Sequence, residues 1–543
     1  MAASVLSLLA LAACGPPSPP RPLADATVRR FVEDWAGQSV RGFGEMYGLL
    51  SPPAAGAVNA ADFSARYQGV DERIALTMLD SAVRSPSENG DHATVPVHLR
   101  FHTRYAGTFD RDYTYRLSRV SGQWRVDWGP ELILPELAGD HHLREEHQLA
   151  RRGAIRTRDG ADLAVTDERG LSVGVVRQNI KDEPGMLAAL SALLGLRAAD
   201  IKAAYQAGQP DWFNPVATLP PDTPLDLHNR LSAIPAVEVR FATVRFYPQH
   251  RAAAQLLGYL SRDGVPQAGL EKSLDMVLAG IPGGRIYVVD AQDRETATVV
   301  QRDAVAGQDV VLSLAWPVQQ AAESALNGNP RDAVVAEDPR DGAILAIASR
   351  PAFDPNDFSF GRKESISAYN ADPASPLLLR ATSGQYPAGS TFKPITAAAA
   401  LKAGVVQADE VIPCPHLWTG FGPPGQQNHE SDDLGPINLR TALARSCNTY
   451  FYELAKRLFE KGRSLLPEMA RSFGLGRSAG MQFVADQPGR VPDQPSGIDA
   501  TNLAIGQGGL QVTPLQMAGY TAALTQGGAV PRPRVVLRTQ APM

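Results

Sequence analysis

The chain has 543 residues, three cysteines and a net charge of -5 with both signs interspersed along its length. That length carries three or four domains with ample core, and the even mixing of charge offers no basic face for nucleic acid. Three cysteines do not make a disulfide framework or a zinc-type ligand set, and neither metal nor cofactor is expected.

In chain order, residues 2–13 form a short apolar run of small side chains, too short to span a bilayer. The run ends in Leu11-Ala-Ala-Cys14, which resembles a bacterial lipoprotein box. It implies cleavage before Cys14, lipid on its sulfur and a protein held at the outer face of the cell membrane. No basic residue precedes the run, a departure from such signals. Gly15-Pro-Pro-Ser-Pro-Pro-Arg-Pro22 then reads as a stiff extended tether, so residues 1–23 are signal and tether. Residues 24–140 open with an amphipathic helix, Ala26-Thr-Val-Arg-Arg-Phe-Val-Glu-Asp-Trp35. They close with alternating strands, Ala93-Thr-Val-Pro-Val-His-Leu-Arg-Phe101, Tyr113-Thr-Tyr-Arg-Leu117 and Gly122-Gln-Trp-Arg-Val-Asp-Trp128. Ser87-Glu-Asn89, between them, reads as an ordinary turn. His141, His142 and His147 fall in a charged, helix-like segment and read as solvated side chains, not metal ligands. A second region, residues 150–300, carries a helical stretch at Met186-Leu-Ala-Ala-Leu-Ser-Ala-Leu-Leu194. A third, residues 308–543, begins at Val310-Val-Leu-Ser-Leu314 and continues into two apolar strands around the turn Asp338-Pro-Arg-Asp-Gly342.

The most informative residues follow, in Tyr386-Pro-Ala-Gly-Ser-Thr-Phe-Lys393-Pro. Of the eight lysines, only Lys393 has a serine three residues earlier. Positions i and i+3 share a helix face, and an unprotonated lysine can take the proton that a serine must lose to attack a carbonyl. The bland alternative is a capping serine followed by a solvated lysine. Context argues against it: Pro387 and Gly389 break any preceding structure, and Ser390 opens the apolar run Ile395-Thr-Ala-Ala-Ala-Ala-Leu401. Ser390 is therefore expected at a helix start, where a developing anion is favoured. Lys393 is expected to be drawn toward the core, where desolvation lowers its pKa. Ser446-Cys-Asn448 lies between two helix-like segments and supplies a second hydroxyl and an amide. Of the two cysteines beyond Cys14, Cys447 reads as a small core residue pointing away from the site, and two cannot staple a chain this large.

With these motifs placed, residues 150–543 resemble the penicillin-binding protein transpeptidases. Further stretches carry the resemblance: Arg152-Gly-Ala-Ile-Arg-Thr-Arg-Asp-Gly160, Arg245-Phe-Tyr-Pro248 and Gly269-Leu-Glu-Lys272 in the pedestal, and the hairpin from Ala333 to Ala348 with Ala504-Ile-Gly-Gln-Gly508 in the catalytic domain. The resemblance implies a multidomain α+β protein: an NTF2-like cone domain of the methicillin-resistance type, a pedestal or dimerisation domain, and a β-lactamase-like serine transpeptidase domain. It implies a monofunctional class B enzyme working beside a glycosyltransferase, in which Ser390 attacks the penultimate D-Ala carbonyl of a stem peptide. Lys393 accepts the proton, Ser446 returns one to the departing D-Ala, Asn448 orients the acyl chain, and β-lactams acylate the same serine.

The family's third motif, a strand bearing Lys-Thr-Gly or Lys-Ser-Gly, does not occur; no lysine follows Lys461, and Arg538-Thr-Gln540 lacks the glycine. The pattern implies a catalytic domain without its C-terminal strands and a chain short of full activity, since one oxyanion-hole donor alone is worth about 3 kcal/mol. Two other classes follow as alternatives: a penicillin-binding pseudoenzyme or sensor, and a serine β-lactamase. The second would need a deacylating carboxylate. Glu323-Ser-Ala-Leu-Asn327 has a matching pattern but precedes Ser390, and reads as part of a helix ending at Gly328-Asn-Pro330.

Overall fold

A computed structural model describes residues 23–137, 141–328, 331–429 and 433–542; Cys14 and the Pro-rich tether lie outside the described residues. The described residues form two compact units, one within Met1–Ala150 and Ile281–Val305, the other within Arg151–Gly280 and Ala306–Met543.

In the first unit, helix α1 (Ala24–Ala36) buries Val28, Phe31, Val32 and Trp35, the single stripe that its sequence spells. Helix α2 (Ala60–Arg73) is capped by Asn59, whose side chain accepts from the Asp62 amide. Both pack on an antiparallel sheet of β1 (Leu76–Val83), β2 (Ser87–Asn89), β3 (His92–Thr103), β4 (Thr108–Val120) and β5 (Gln123–Val126), ordered β1-β3-β4-β5 with β2 also on β3. Burial alternates residue by residue along β3, as its apolar-polar pattern requires. Ser87-Glu-Asn89 is thus a strand and not the turn expected; the reversal falls at Gly90, whose φ of 62° suits glycine.

The segment with the clustered histidines is also a strand, β6 (His142–Gln148), where a helix was expected. It pairs along its whole length with Gly283–Val289, which pairs in turn with Glu295–Arg302. Its Glu, His and Gln residues would tolerate a helix. The ladder to a distant hairpin and the burial of Leu143 decide otherwise. His147 lies against the Tyr105 ring and beside Glu145, and no metal-holding group of three occurs among the described residues.

The second unit contains β7 (Ile155–Arg156), β8 (Asp162–Val176), helix α3 (Glu183–Leu194), β9 (Phe213–Leu219), β10 (Val237–Phe246), β11 (Asp309–Leu312), helix α4 (Trp316–Ala325), the hairpin β12 (Ala333–Glu337) and β13 (Ile344–Ser349), and β14 (Val536–Gln540). One sheet runs β10-β8-β7-β11-β14, with β9 on β8. Arg538-Thr-Gln540 lies in β14, antiparallel to β11. The β12–β13 hairpin forms a separate two-stranded sheet whose outer β12 edge has no strand partner among the described residues.

The three pedestal stretches singled out in the sequence converge on Glu271, which is fully buried. Its carboxylate accepts from Arg152 Nε at 2.8 Å, Arg245 Nε at 2.7 Å and Tyr247 OH at 3.1 Å. A buried carboxylate survives only when paired and fully hydrogen-bonded. Glu271→Gln, which takes the carboxylate away from Arg245 and leaves Arg152 with Asp275 alone, is expected to lower stability by about 3–5 kcal/mol. Denaturant midpoints of parent and variant measure this; equal midpoints would refute the role of the network.

Glu323 has a comparable structural employment. Its carboxylate receives Gln319 Nε2 at 2.7 Å, the Ala253 amide at 2.9 Å and Arg350 at 2.6 Å, and Gln319 is bonded to both backbone groups of Ile347 on β13. The residue ties helix α4 to the hairpin and lies in a helix, as its sequence reading expects.

Candidate active site

Ser390 lies in a tight 3-10 turn, Gly389–Phe392, that runs directly into helix α5 (Lys393–Lys402). The expected helix start is therefore one turn tighter than an α-helical one, with Lys393 as the first α-helical residue. Three contacts pin the turn. Tyr386 exchanges both backbone bonds with Val512, the Gly389 amide donates to Gly506 O at 2.8 Å, and Tyr520 OH donates to Thr391 O at 3.1 Å. Gly506 has to be glycine: its φ is 73° and a Cβ there would stand 2.1 Å from Gly389 O. This close approach explains the Gly-Gln-Gly stretch as backing for the serine turn.

The Ser390 side chain opens to solvent, whereas Lys393 is 1 % exposed. Helix α6 (Leu439–Ala444) and helix α7 (Asn448–Lys461) flank the second motif and bring it against this pair. Lys393 Nζ donates to Ser446 Oγ at 2.9 Å, to Ser446 O at 2.6 Å and to Asn448 Oδ1 at 2.6 Å. Ser446 Oγ in turn donates to Ser390 Oγ at 3.0 Å. All four residues selected from the sequence thus meet, but the hydrogen-bonded path from Ser390 to Lys393 runs through Ser446. Burial lowers the Lys393 pKa from the ordinary lysine value to about 8. The only ring beside its ammonium is Phe451 among the described residues, 5.5 Å away.

Cys447 is buried, but it is not a free core thiol: it forms a disulfide with Cys414, 33 residues earlier. Two features escaped the sequence reading, this bond and Asn428, whose Oδ1 accepts from the Asn448 amide at 2.9 Å. The two cysteines beyond Cys14 are the only sign of the first in the sequence. Nothing in the sequence marks the second.

Chemically, the arrangement offers an accessible hydroxyl, a second hydroxyl bridging it to a buried amine that is largely neutral just above its lowered pKa, and an amide. Hydroxyl groups rotate, so the chain can carry a proton in either direction. That is the equipment of serine acyl transfer.

Comparison with known proteins agrees with this reading. Three family models match in succession: the NTF2-like N-terminal transpeptidase domain over residues 23–141, the penicillin-binding protein dimerisation domain over 147–312, and the penicillin-binding protein transpeptidase domain over 333–541. The chain is 31 % identical over 342 residues to the peptidoglycan D,D-transpeptidase MrdA of Escherichia coli (strain K12), covering 56 % of this chain and 53 % of that protein. It is 34 % identical over 320 residues to the peptidoglycan D,D-transpeptidase PbpA of Mycolicibacterium smegmatis, covering 56 % and 62 %. With penicillin-binding protein 3 of Bacillus subtilis the identity is 25 % over 568 residues, covering 98 % and 82 %. The chain spans about half the length of the MrdA relatives from Escherichia coli and Acinetobacter baumannii. Among solved structures, the complex of PBP2 and MreC from Helicobacter pylori matches with a TM-score of 0.59 and 24 % identity over 74 % of this chain and 81 % of that one, a likeness of fold.

Proposed function

We propose that this chain, which belongs to the penicillin-binding proteins and has their class B arrangement of dimerisation and transpeptidase domains, is a D,D-transpeptidase that acts through an acyl-enzyme on Ser390. The observation that carries the reading is the continuous path from Ser390 Oγ through Ser446 Oγ to the buried amine of Lys393. As Ser390 attacks the penultimate D-Ala carbonyl of a stem peptide, its proton passes through Ser446 to neutral Lys393. The peptide bond to the terminal D-Ala breaks, and the same path returns a proton to the departing amine. Resolution by the amino group of a neighbouring stem reverses the sequence and forms the cross-link. With Oδ1 committed to Lys393, Asn448 has its NH2 group to offer the acyl chain. β-Lactams enter at the same carbonyl position.

In this reading residues 24–140 are a spacer, 150–300 the pedestal and 308–543 the acyl-transfer domain. Cys14 carries the lipid that holds the protein on the outer face of the membrane, beside a glycosyltransferase that makes the glycan strands. The stem-peptide carboxylate needs a cationic Lys-Thr-Gly or Lys-Ser-Gly strand, and no such triplet occurs in the 543 residues. Acylation is therefore a better readout than cross-linking. With Glu323 held by Gln319, Arg350 and Ala253, no deacylating carboxylate is hydrogen-bonded to Ser390 among the described residues. Nitrocefin should accordingly give one stoichiometric burst. Sustained hydrolysis would favour a β-lactamase instead, and the absence of any burst would favour a pseudoenzyme.

A further inference from the structure

We propose that Asn428 and the Cys414–Cys447 disulfide act as a positioning brace that keeps Ser446 and Asn448 in register with Ser390, so that acylation depends on two features outside the reacting groups. The inference rests on the reading of Ser390 as the acylated residue.

The need for a brace is visible in the backbone. Ser446 has a φ of 54°, a left-handed conformation that costs a non-glycine residue about 1–2 kcal/mol. Such a residue keeps that conformation only where its surroundings over-determine it. Five constraints converge on the three residues that follow it. The Cys447 amide donates to Ala442 O at 3.0 Å, and Cys447 Sγ accepts from the Tyr450 amide at 3.2 Å, capping helix α7. The same sulfur is bonded to Cys414, and both cysteines are fully buried. The next residue, Asn448, opens the helix, where an amide has no intrahelical partner. Asn428 supplies one, and its Nδ2 reaches back to Cys414 Sγ at 3.5 Å. Thr449 Oγ1 completes the set by donating to Pro415 O at 2.8 Å.

The far side of the brace is itself fixed. The Cys414 amide donates to Gly435 O, the Leu434 amide to Cys414 O, and the Asn428 amide to His416 O. Val411–Pro413 pairs with Pro436–Asn438, and Asn438 caps helix α6, which leads directly to Ser446. The disulfide therefore closes a loop from this small ladder through α6 and Ser446 back to the ladder. What the loop holds is the Ser446 hydroxyl, 3.0 Å from Ser390 Oγ and 2.9 Å from Lys393 Nζ. Displacing a reacting group by about 1 Å can cost about 100-fold in rate.

The test uses the whole chain, with Asn428→Ala and the double variant Cys414→Ala/Cys447→Ala, and a fluorescent penicillin as probe. The second-order acylation rate constant of Asn428→Ala is expected to fall about 10–100-fold, while the fraction labelled at saturation stays that of the parent. A role in folding alone would do the reverse: it would shrink the labelled fraction and leave the rate constant of the remainder unchanged. That result overturns the proposal. If Asn428→Ala fails to fold, the double variant and the parent after verified reduction by a dithiol are read in the same way, and parental rate constants there also overturn it. A parent chain that takes no penicillin would refute the Ser390 reading but not the brace, which is then read from Lys393 alone. Its titration, followed by NMR of the chain with 15N-labelled lysine, should fall near 8 in the parent and move toward the ordinary lysine value in the variant. The groups that face this amine are Ser446, Asn448 and the Phe451 ring. An unchanged titration contradicts the brace.

Discussion

Ser390→Ala will take up no covalent penicillin. The ester that would trap the drug can form only on an oxygen, and the hydroxyl at this position is the one both exposed to solvent and hydrogen-bonded into the path to Lys393. Ser446 cannot substitute, because its hydroxyl is held between Ser390 and Lys393 and its own backbone oxygen is bonded to the same amine. The loss should come without a loss of structure. The Ser390 side chain is exposed and gives up a single hydrogen bond, and substitutions of that kind change stability by about 0.5 kcal/mol or less. Gel fluorescence after penicillin labelling, together with thermal unfolding, measures both quantities. A labelled Ser390→Ala variant would move the nucleophile elsewhere.

Lys393 should produce the second-largest effect and a diagnostic pH profile. Replacing it with Ala is expected to slow acylation by about 10²–10⁴, the usual range for removing a general base. Arginine should not rescue it, because a guanidinium group does not deprotonate in a protein. In the proposed mechanism the working form is the neutral amine, and burial has lowered its pKa to about 8. The acylation rate should therefore rise as pH increases through about 8 and level off above it. The linkage has a consistent sign. Between about 8 and the ordinary value of 10.5 the unfolded chain binds a proton that the folded chain has released, so this group adds stability as pH rises across that window. A flat acylation profile across neutral and alkaline pH would exclude Lys393 as the base.

Both effects concern residues legible from the sequence, and the reason is local. A serine three residues before a lysine fixes a shared face wherever the segment is helical, and Pro387, Gly389 and the alanine-rich run that follows leave few other conformations. The same holds for α1, whose apolar stripe depends only on its own residues, and for β3 and β4, whose alternation is decided by one buried face. Features set by distant partners were not legible in this way. β6 has one buried apolar residue in seven and becomes a strand only because Gly283–Val289 lies beside it. Cys414 and Cys447 are separated by 33 residues, a spacing that carries no geometry of its own. Asn428 is a polar residue in a loop until the first amide of α7 is placed opposite it. Glu271 is a related case. Its segment was readable as a landmark, but the meeting with Arg152, Arg245 and Tyr247 required the fold.

The detail most changed by the structure is the path of the proton. Helical spacing alone suggests direct contact between Ser390 and Lys393, whereas the hydrogen bonds run through Ser446. On the proposed mechanism the second motif then takes part in activating the nucleophile as well as in protonating the leaving group. On that mechanism the conformation of Ser446 is a condition of reactivity.

The most direct test of the central claim is peptide mapping by mass spectrometry of the parent chain after brief exposure to penicillin. The account predicts one adduct per chain, on the peptide containing Ser390, stable long enough to isolate. No adduct, or an adduct on any other residue, would contradict it.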